Sequence, residues 1–409
     1  MAKSAPKASG GSVTEVPKDF PDGWFGDGHP HELYARFRAH GSPLRHPDLP
    51  LWVVSAHADV HAAVTDPEAF RSADGILISE LVEGVTYDAP PTIMHLDPPD
   101  HTRYRGLVAP AFRPSVLRRL EDAVRERVAA LLEPIAPGSP ADIVTELAVP
   151  LPLQVICLLL GIPEEDWPKF HAWSEAIVPG ANPDLTEEER NALRIECGTY
   201  LIQQAHARRA DPRDDVISQL ATLELDGDAL TDLELVMFLI QLLVAGNETT
   251  RHSLSGGLLA FAENPDQWAA LRADPARLTP TAVEEILRWT SPVVYFLRTA
   301  TRPVPLGGAV VPEGERVMLL YGSGNRDQAA FGPAAGEFDI SRRPDALNLA
   351  FGFGPHFCLG AALARMEIRL VLEAMTSRYE GIEKAGKPAY NGSSVVAGLR
   401  HCDLTFSAP

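Results

Sequence analysis

The chain has 409 residues, 45% of them hydrophobic, enough to bury the core of one large domain or of two ordinary ones. Its formal charge of -19 and isoelectric point near 5.1 exclude a general binder of nucleic acids or other polyanions, because that binding is driven by clustered Lys and Arg. Cys157, Cys197, Cys358 and Cys402 stand without CxxC spacing, which points to neither a disulfide framework nor a zinc cluster and fits a reducing cytoplasm.

The first residues are rich in Ala, Ser, Gly and Lys and carry no apolar run long enough for a secretion signal or a spanning helix, so residues 1–23 are expected to form a disordered arm. No internal repeat or flexible linker follows, and one domain is expected over residues 24–409. HELYARFRAH at 31–40 predicts a first helix; LWVVS at 51–55 predicts a strand, with a helix over 56–65. Residues 75–91, with two glycines and the Pro90-Pro91 pair, read as an irregular connector of the kind that lines sites. Pro98 and Pro99 open a helix reaching about residue 111, and further helices are predicted over 116–132, 143–160 and 187–210. A longer one spans 231–262, with Thr231 and Glu234 forming a capping box. Strands follow at 293–301, 310–311 and 316–320, with turns at Gly307-Gly308 and Glu313-Gly314 setting hairpins; helices at 280–289 and 359–379 complete the pattern. The fold class is mainly α with small β-sheets (α+β).

Cys358 lies in FGFGPHFCLG (351–360), a loop stiffened by Gly and Pro that leads straight into a helix. Unpaired N–H groups at that helix start favour an anion, so the thiolate, the form of cysteine that binds metals, is expected to be stabilised. A lone cysteine is ordinarily a small buried hydrophobe. Gly352, Gly354 and Gly360 beside it argue otherwise, by allowing a flat ligand close to the backbone. The segment matches FGxGxHxCxG at every specified position and so resembles the haem-binding signature of the cytochromes P-450. That resemblance implies a single-domain cytochrome P-450 fold, with haem b held between the long oxygen-binding helix and the helix after the cysteine loop. It makes Cys358 the axial iron ligand, places Phe351 by the sulfur and Gly360 beside it, and sends His356 to a haem propionate.

Inside the long helix an apolar run to Ala245 breaks into Gly246-Asn-Glu-Thr-Thr-Arg-His252, a polar cluster that is costly in a core unless paired or used. On periodicity alone a solvent-exposed patch is an equal reading. Ala245-Gly246-Asn247-Glu248-Thr249-Thr250 is similar to the AGx(D/E)T(T) pattern of the oxygen-binding helix in these enzymes. By that resemblance Glu248 and Thr249 are an acid–alcohol pair that relays protons, Ala245 borders the haem, and Gly246 leaves room for dioxygen.

His101 and Arg105 share a helical face at i and i+4, which alone is ordinary surface charge. Their setting, HLDPPDHTRYR, resembles the DPPxHTxxR segment of the family, so both are expected at the haem propionates, with Arg298 from the strand VVYFLR. Glu285-Ile-Leu-Arg288 is an ExxR match, trivial by itself; ahead of FDISR it resembles the family's structural network, with Arg342 as third member. The chain departs from the family after Arg342, where Asn348 stands near the usual histidine.

The resemblance implies a monooxygenase that inserts one atom of O2 into an apolar substrate by hydroxylation or epoxidation, fed by a ferredoxin or flavodoxin with its reductase, so that NAD(P)H acts only indirectly. Arg103, Arg113, Arg365 and Arg369 are candidate contacts for that donor. Pocket walls are expected from Ile76, Leu77, Ile78, Val82, Val244, Ala245, Val293, Val294, Val395 and Val396, which suit terpenoids, steroids, acyl chains or polyketides without ranking them. A cytoplasmic monomer that binds neither nucleic acid nor membrane is expected. Two other readings are a peroxide-driven enzyme, against which Glu248 and Thr249 argue, and a non-catalytic haem sensor or carrier, which needs no proton relay.

Overall fold

The computed structural model describes residues 16–82, 92–178, 182, 184–225, 228–343 and 347–408. The helices in chain order are α1 (His31–His40), α2 (His57–Thr65), α3 (Ile78–Val82), α4 (Asp100–Val108), α5 (Pro114–Leu132), α6 (Pro150–Leu160), α7 (Trp167–Ile177) and α8 (Glu187–Ala210). They continue with α9 (Val216–Ala221), α10 (Asp232–Glu263), α11 (Pro265–Ala273), α12 (Pro275–Thr290), α13 (Tyr321–Gly324), α14 (Gln328–Phe331) and α15 (Ala361–Arg378).

Capping fixes the long helices. Thr231 and Glu234 form the predicted capping box at α10, and Thr186 with Glu189 forms a second at α8. Leu235, Leu239, Leu242 and Leu243 of α10 lie buried among its neighbours, and the helix packs against α6, α7, α8, α12 and α15. By length and composition α10 is apolar enough to cross a membrane, but here it is the core helix. The helix predicted over 143–160 begins as one π-helical turn, Val144–Ala148, before Pro150 opens α6. α12 starts at Pro275, five residues ahead of the expectation, and carries Pro280 within it.

A five-stranded sheet forms the second layer. Its strands are β1 (Leu44–Arg45), β2 (Leu51–Val54), β3 (Phe70–Arg71), β4 (Tyr295–Ala300) and β5 (Arg316–Leu320), in the order β1-β2-β5-β4-β3. β5 runs parallel to β2, with Val317 opposite Trp52, and antiparallel to β4, with Val317 opposite Arg298. The Gly307-Gly308 turn joins the hairpin Val304–Leu306 with Ala309–Val311 as predicted. Glu313-Gly314 sets no hairpin: the strand after it pairs with two distant strands instead.

The expected arm is too long. Val16 and Phe20 are each 2% exposed and pack with Phe25, Tyr34 and Phe37 against the sheet, so residues 16–23 belong to the folded part; apolar side chains there gain burial that an arm forgoes. Residues 1–15 and 83–91, which include the rest of the arm and most of the connector, lie outside the described residues.

Candidate functional site

The cysteine loop sits between α14 and α15 and is shaped by its glycines. Gly352 and Gly354 have φ of 63° and 67°, and a Cβ on Gly354 would stand 2.5 Å from the Val64 carbonyl oxygen at the end of α2. Both glycines are needed by the loop's own path; a side chain at Gly354 would meet α2, whereas the space beside Gly352 is open. A Cβ on Gly360 would stand 3.9 Å from Cys358 Sγ, an ordinary contact. Cys358 N–H donates to the Phe351 carbonyl at 3.0 Å, closing the loop, and the Arg365 guanidinium lies 4.6 Å over the Phe351 ring. Burial raises the Cys358 thiol above its ordinary value, while the N–H groups of Gly360 and Ala361 and the charges of Arg105 and Arg365 oppose this without cancelling it. A metal cation bound at the sulfur would favour the thiolate further.

Beside the loop, α4, β4 and the cysteine segment bring four basic side chains together. The His101 and His356 rings stand 4.2 Å apart, and both His101 nitrogens are buried without a partner. Arg298 is 5% exposed and donates to its neighbour's carbonyl, Leu297, at 2.7 Å; Arg105 donates to the Phe357 carbonyl. Burial, reinforced by Arg298, His101 and Arg105, pushes the His356 imidazole down to about 2. Among the described residues no carboxylate forms an ion pair with these four, and Asp97 spends its oxygens on the N–H groups of Ser72 and Ala73 at 2.8 and 3.0 Å. Buried cations and orphaned ring nitrogens beside a cysteine sulfur call for an anionic group of matching shape, and the two carboxylates of an iron porphyrin fit that demand.

On α10 the buried surface is interrupted along one line. Met237, Gln241, Ala245 and Thr249, spaced by four, are partly or fully accessible in mid-helix, whereas Asn247, Glu248, Thr250, Arg251 and His252 are buried. The structure does not bring Glu248 and Thr249 into contact. Thr249 Oγ1 donates to the Ala245 carbonyl at 3.0 Å, whereas Glu248 turns into the protein, where Arg251 holds it at 2.7 Å and Ser174 of α7 donates to it at 3.4 Å. Burial raises this carboxyl, but His252, Arg251 and His171 outweigh it and keep Glu248 below the usual carboxylate range. Gly246 is also reassigned: its missing Cβ points at Ile156 Cδ1 of α6, 3.2 Å away, so the glycine serves helix packing and not dioxygen room.

The network around Glu285 has the expected members. Arg288 meets both carboxylate oxygens at 2.7 Å, Arg342 reaches Oε2 at 3.1 Å, and Asp339 N–H adds 2.8 Å. Asn348 caps the turn at Ala350 and donates to the Glu284 carbonyl. Of the proposed donor contacts, Arg365 is held by Glu284 and Arg369 by Glu121 and Glu373, so these two present ion pairs instead of free positive charge; Arg113 is exposed.

The pocket walls divide. Val293 bridges Val396 and packs on the side of Phe353 and Leu349, toward the cysteine loop. Val294 is fully buried in the cluster of Phe20, Tyr34 and Tyr295 and offers no accessible wall. Ile78 and Val395 lean on that same cluster, Ile76 is buried, Val244 is partly accessible, and Val82 is 61% exposed. Leu77 is fixed through its N–H, which Glu80 accepts at 2.7 Å together with that of Ile76.

Sequence reasoning missed Ser72 beside His356 (3.3 Å), Ser174 and His171 on α7, and Gln241 in the accessible line. For Gln241 a signal existed, since 241, 245 and 249 share a helical face.

Comparison with known proteins agrees with this geometry. The Cytochrome P450 family profile matches residues 51–397. A putative cytochrome P450 126 of Mycobacterium tuberculosis is 40% identical over 92% of this chain and 94% of its own. A methyl-branched lipid omega-hydroxylase of the same organism is 38% identical, over 87% and 84%. The structure of cytochrome P450 CYP109Q5 from Chondromyces apiculatus superposes with a TM-score of 0.85 at 31% identity, covering 97% of this chain and 99% of that one.

Proposed function

The chain belongs to the cytochrome P450 family and is a monooxygenase of that family, and from this premise we propose that it hydroxylates an extended apolar lipid with electrons from a separate ferredoxin or flavodoxin system. The observation that carries the reading is the meeting of four basic groups beside the Cys358 sulfur, in a fold whose long core helix α10 leaves one line of residues accessible. Haem b is the group these residues suit, with Cys358 on iron and His101, Arg105, Arg298 and His356 on the propionates. When bound, a thiolate-ligated haem supplies oxygen activation that no side chain can.

The protein's own part is binding, orientation and proton handling. Ala245 and Val244 present small apolar surface on the oxygen side, and Val293 and Val396 wall the approach, so an alkyl chain displaces water there. Thr249 has one hydroxyl proton, now given to the Ala245 carbonyl, and turning about χ1 would free it toward the site. Glu248, held as a carboxylate, accepts protons from water and returns them to that hydroxyl through an intervening water, since the two side chains do not touch. The lipid assignment leans on the similar omega-hydroxylase and on the aliphatic walls. The proposed setting is the cytoplasm, with the partner docking near Cys358.

The test is an optical titration of the ferric haem protein with methyl-branched fatty acids, sterols, macrolides and terpenes. A saturable low-to-high-spin shift with the branched acids, followed by hydroxylated product, supports the proposal. A shift confined to another class replaces the substrate, and a protein that takes up no haem removes the reading.

A further inference from the structure

His252 has no role in the relay as described, yet the fold is built tightly around it. It is 1% exposed and lies one turn beyond Glu248 on α10. Three groups approach its Nε2: Arg251 from the same helix at 3.4 Å, Asn391 Nδ2 at 3.3 Å, and Glu248 Oε2 at 3.7 Å. The first two are N–H donors; the carboxylate stands beyond hydrogen-bond reach. The Asn391 amide cannot be turned to offer its oxygen, because Oδ1 accepts from Ser393 N–H at 3.2 Å while Nδ2 donates to the Val396 carbonyl at 2.8 Å. Two N–H donors at Nε2 are met by its lone pair, in the neutral tautomer with the proton on Nδ1, a buried nitrogen that has no hydrogen-bond partner among the described residues. That edge lies on the backbone of Gly398: a Cβ there would be 2.1 Å from the ring. Burial lowers the basicity of His252 and Arg251 adds to this, while the Glu248 carboxylate opposes both without cancelling them.

The other end of this contact is the turn that faces the substrate side. Asn391 N–H donates to the Gly398 carbonyl at 2.9 Å, and its side chain gathers Ser393, Val396 and Gly398 around itself. Within the same turn Val396 bridges Val293, and the Val395 carbonyl accepts from Val294 N–H at 2.9 Å. The groups facing Glu248 are Arg251 and His252 from α10 and Ser174 and His171 from α7; those facing His252 are Glu248, Arg251 and Asn391.

We propose that His252 is a positioning residue: its Nε2 lone pair ties Arg251, the clamp on the Glu248 carboxylate, to Asn391, the hub of the 391–398 turn. The substrate-side turn and the proton-handling carboxylate then shift together. A substrate that presses on Val396 is felt at Glu248 through four polar contacts, Val396 to Asn391, Asn391 to His252, His252 to Arg251 and Arg251 to Glu248.

Two arms of the test concern the tie itself. In the haem-loaded, 15N-histidine-labelled protein in its diamagnetic ferrous carbonyl form, the resonance lost in His252→Gln should show a protonated Nδ1 and a bare Nε2; a protonated Nε2 overturns the proposal. Hydrogen exchange of the Ser393 and Gly398 amides should speed up about fivefold in His252→Leu, the loss of roughly one net hydrogen bond. It should return toward wild type in His252→Gln, whose side-chain oxygen offers a lone pair near the same place. Unchanged exchange in the leucine variant overturns the tie. Asn391→Ala, which leaves the helix intact, should reproduce the faster exchange and move the His252 resonance.

The third arm rests on the relay reading of Glu248. With plant-type ferredoxin, its reductase and no substrate, oxygen leaves as peroxide after two electrons and two protons, or as water after four of each. His252→Leu should raise the peroxide-to-oxygen ratio about twofold or more while His252→Gln does not, and an unchanged ratio overturns the link to Glu248. If Thr249→Ala also leaves that ratio unchanged, the relay reading itself has failed.

Discussion

Thr249 and Glu248 are neighbours in sequence but point about 100° apart around α10, and their division of labour follows from that angle. Thr249 is the one on the accessible line of α10, and under the proposed relay Thr249→Ala should leave fold and haem content unchanged but divert reducing equivalents from product to peroxide; the measurement is product and peroxide per NADH consumed. Gly246 makes the contrary case. Its missing Cβ faces Ile156, so Gly246→Ala should cost about 1 kcal/mol of stability by overpacking, and Ile156→Val should recover part of it. A thermal midpoint that falls in the single variant and recovers in the double one distinguishes packing from oxygen access; loss of oxygen binding at unchanged stability would restore the original assignment. Among the basic groups proposed to hold the propionates, Arg298 is the more buried of the two arginines and has one carbonyl as partner. Arg298→Leu should therefore speed haem transfer to apomyoglobin markedly, whereas Arg113→Leu, on an exposed position, should not change it.

At the scale of elements, the Glu285 network joins α12 to the segment around Arg342 and the backbone at Asn325 and Ala335, all near the cysteine loop. Glu285→Gln leaves two buried guanidiniums without their shared charge, an effect of about 3–5 kcal/mol, and should appear as poor haem incorporation and a lower unfolding midpoint. Normal haem content and midpoint in that variant would show the network to be dispensable. This region was legible in the sequence because its residues form a spaced motif whose family supplies the partner. Helices α8 and α10 were legible for a local reason: capping and apolar periodicity mark their ends. What escaped was either aromatic and irregular, as in α7 with its Trp167-Pro-Lys-Phe-His-Ala-Trp173, or nonlocal, as in the short C-terminal strands Gly381–Lys384 and Asp403–Ser407. Strands of four or five residues are specified by distant partners, and Pro140–Asp142, which pairs with Asp403–Ser407, lies some 260 residues earlier in the chain. The side-chain directions of Gly246, Gly354 and Val294 escaped for the same reason, since a motif names a residue without saying what stands opposite it.

For the whole molecule, stability toward acid is written into a partly buried basic cluster formed by His29, His31 and Arg326. His29 Nε2–H donates to the Ser291 carbonyl at 3.0 Å and its Nδ1 accepts from the Tyr34 hydroxyl at 3.3 Å, and burial, with Arg326 nearby, brings it from 6.5 to about 4. His31 stands beside it, also held well below its ordinary value by burial and by Arg326, whose guanidinium stacks 3.4 Å over Trp289. Both imidazoles are neutral when folded and take up protons near 6.5 when unfolded. The unfolded chain therefore binds more protons across this window: stability is full above about pH 6.5 and is lost as pH falls toward 4, by about 3 kcal/mol for His29 alone. Glu367 on α15 works in the opposite sense. Burial holds its carboxyl protonated well above 4.5, so it lowers stability as pH rises past that value and offsets part of the gain from the histidines. A comparison with His29→Leu isolates the histidine. At pH 8 the variant should be less stable by about 1 kcal/mol, the worth of the lost hydrogen bond, whereas near pH 5 the difference should shrink or reverse because leucine has no proton to exclude. A thermal midpoint difference that stays constant from pH 8 to pH 5 would place the acid sensitivity elsewhere in the molecule.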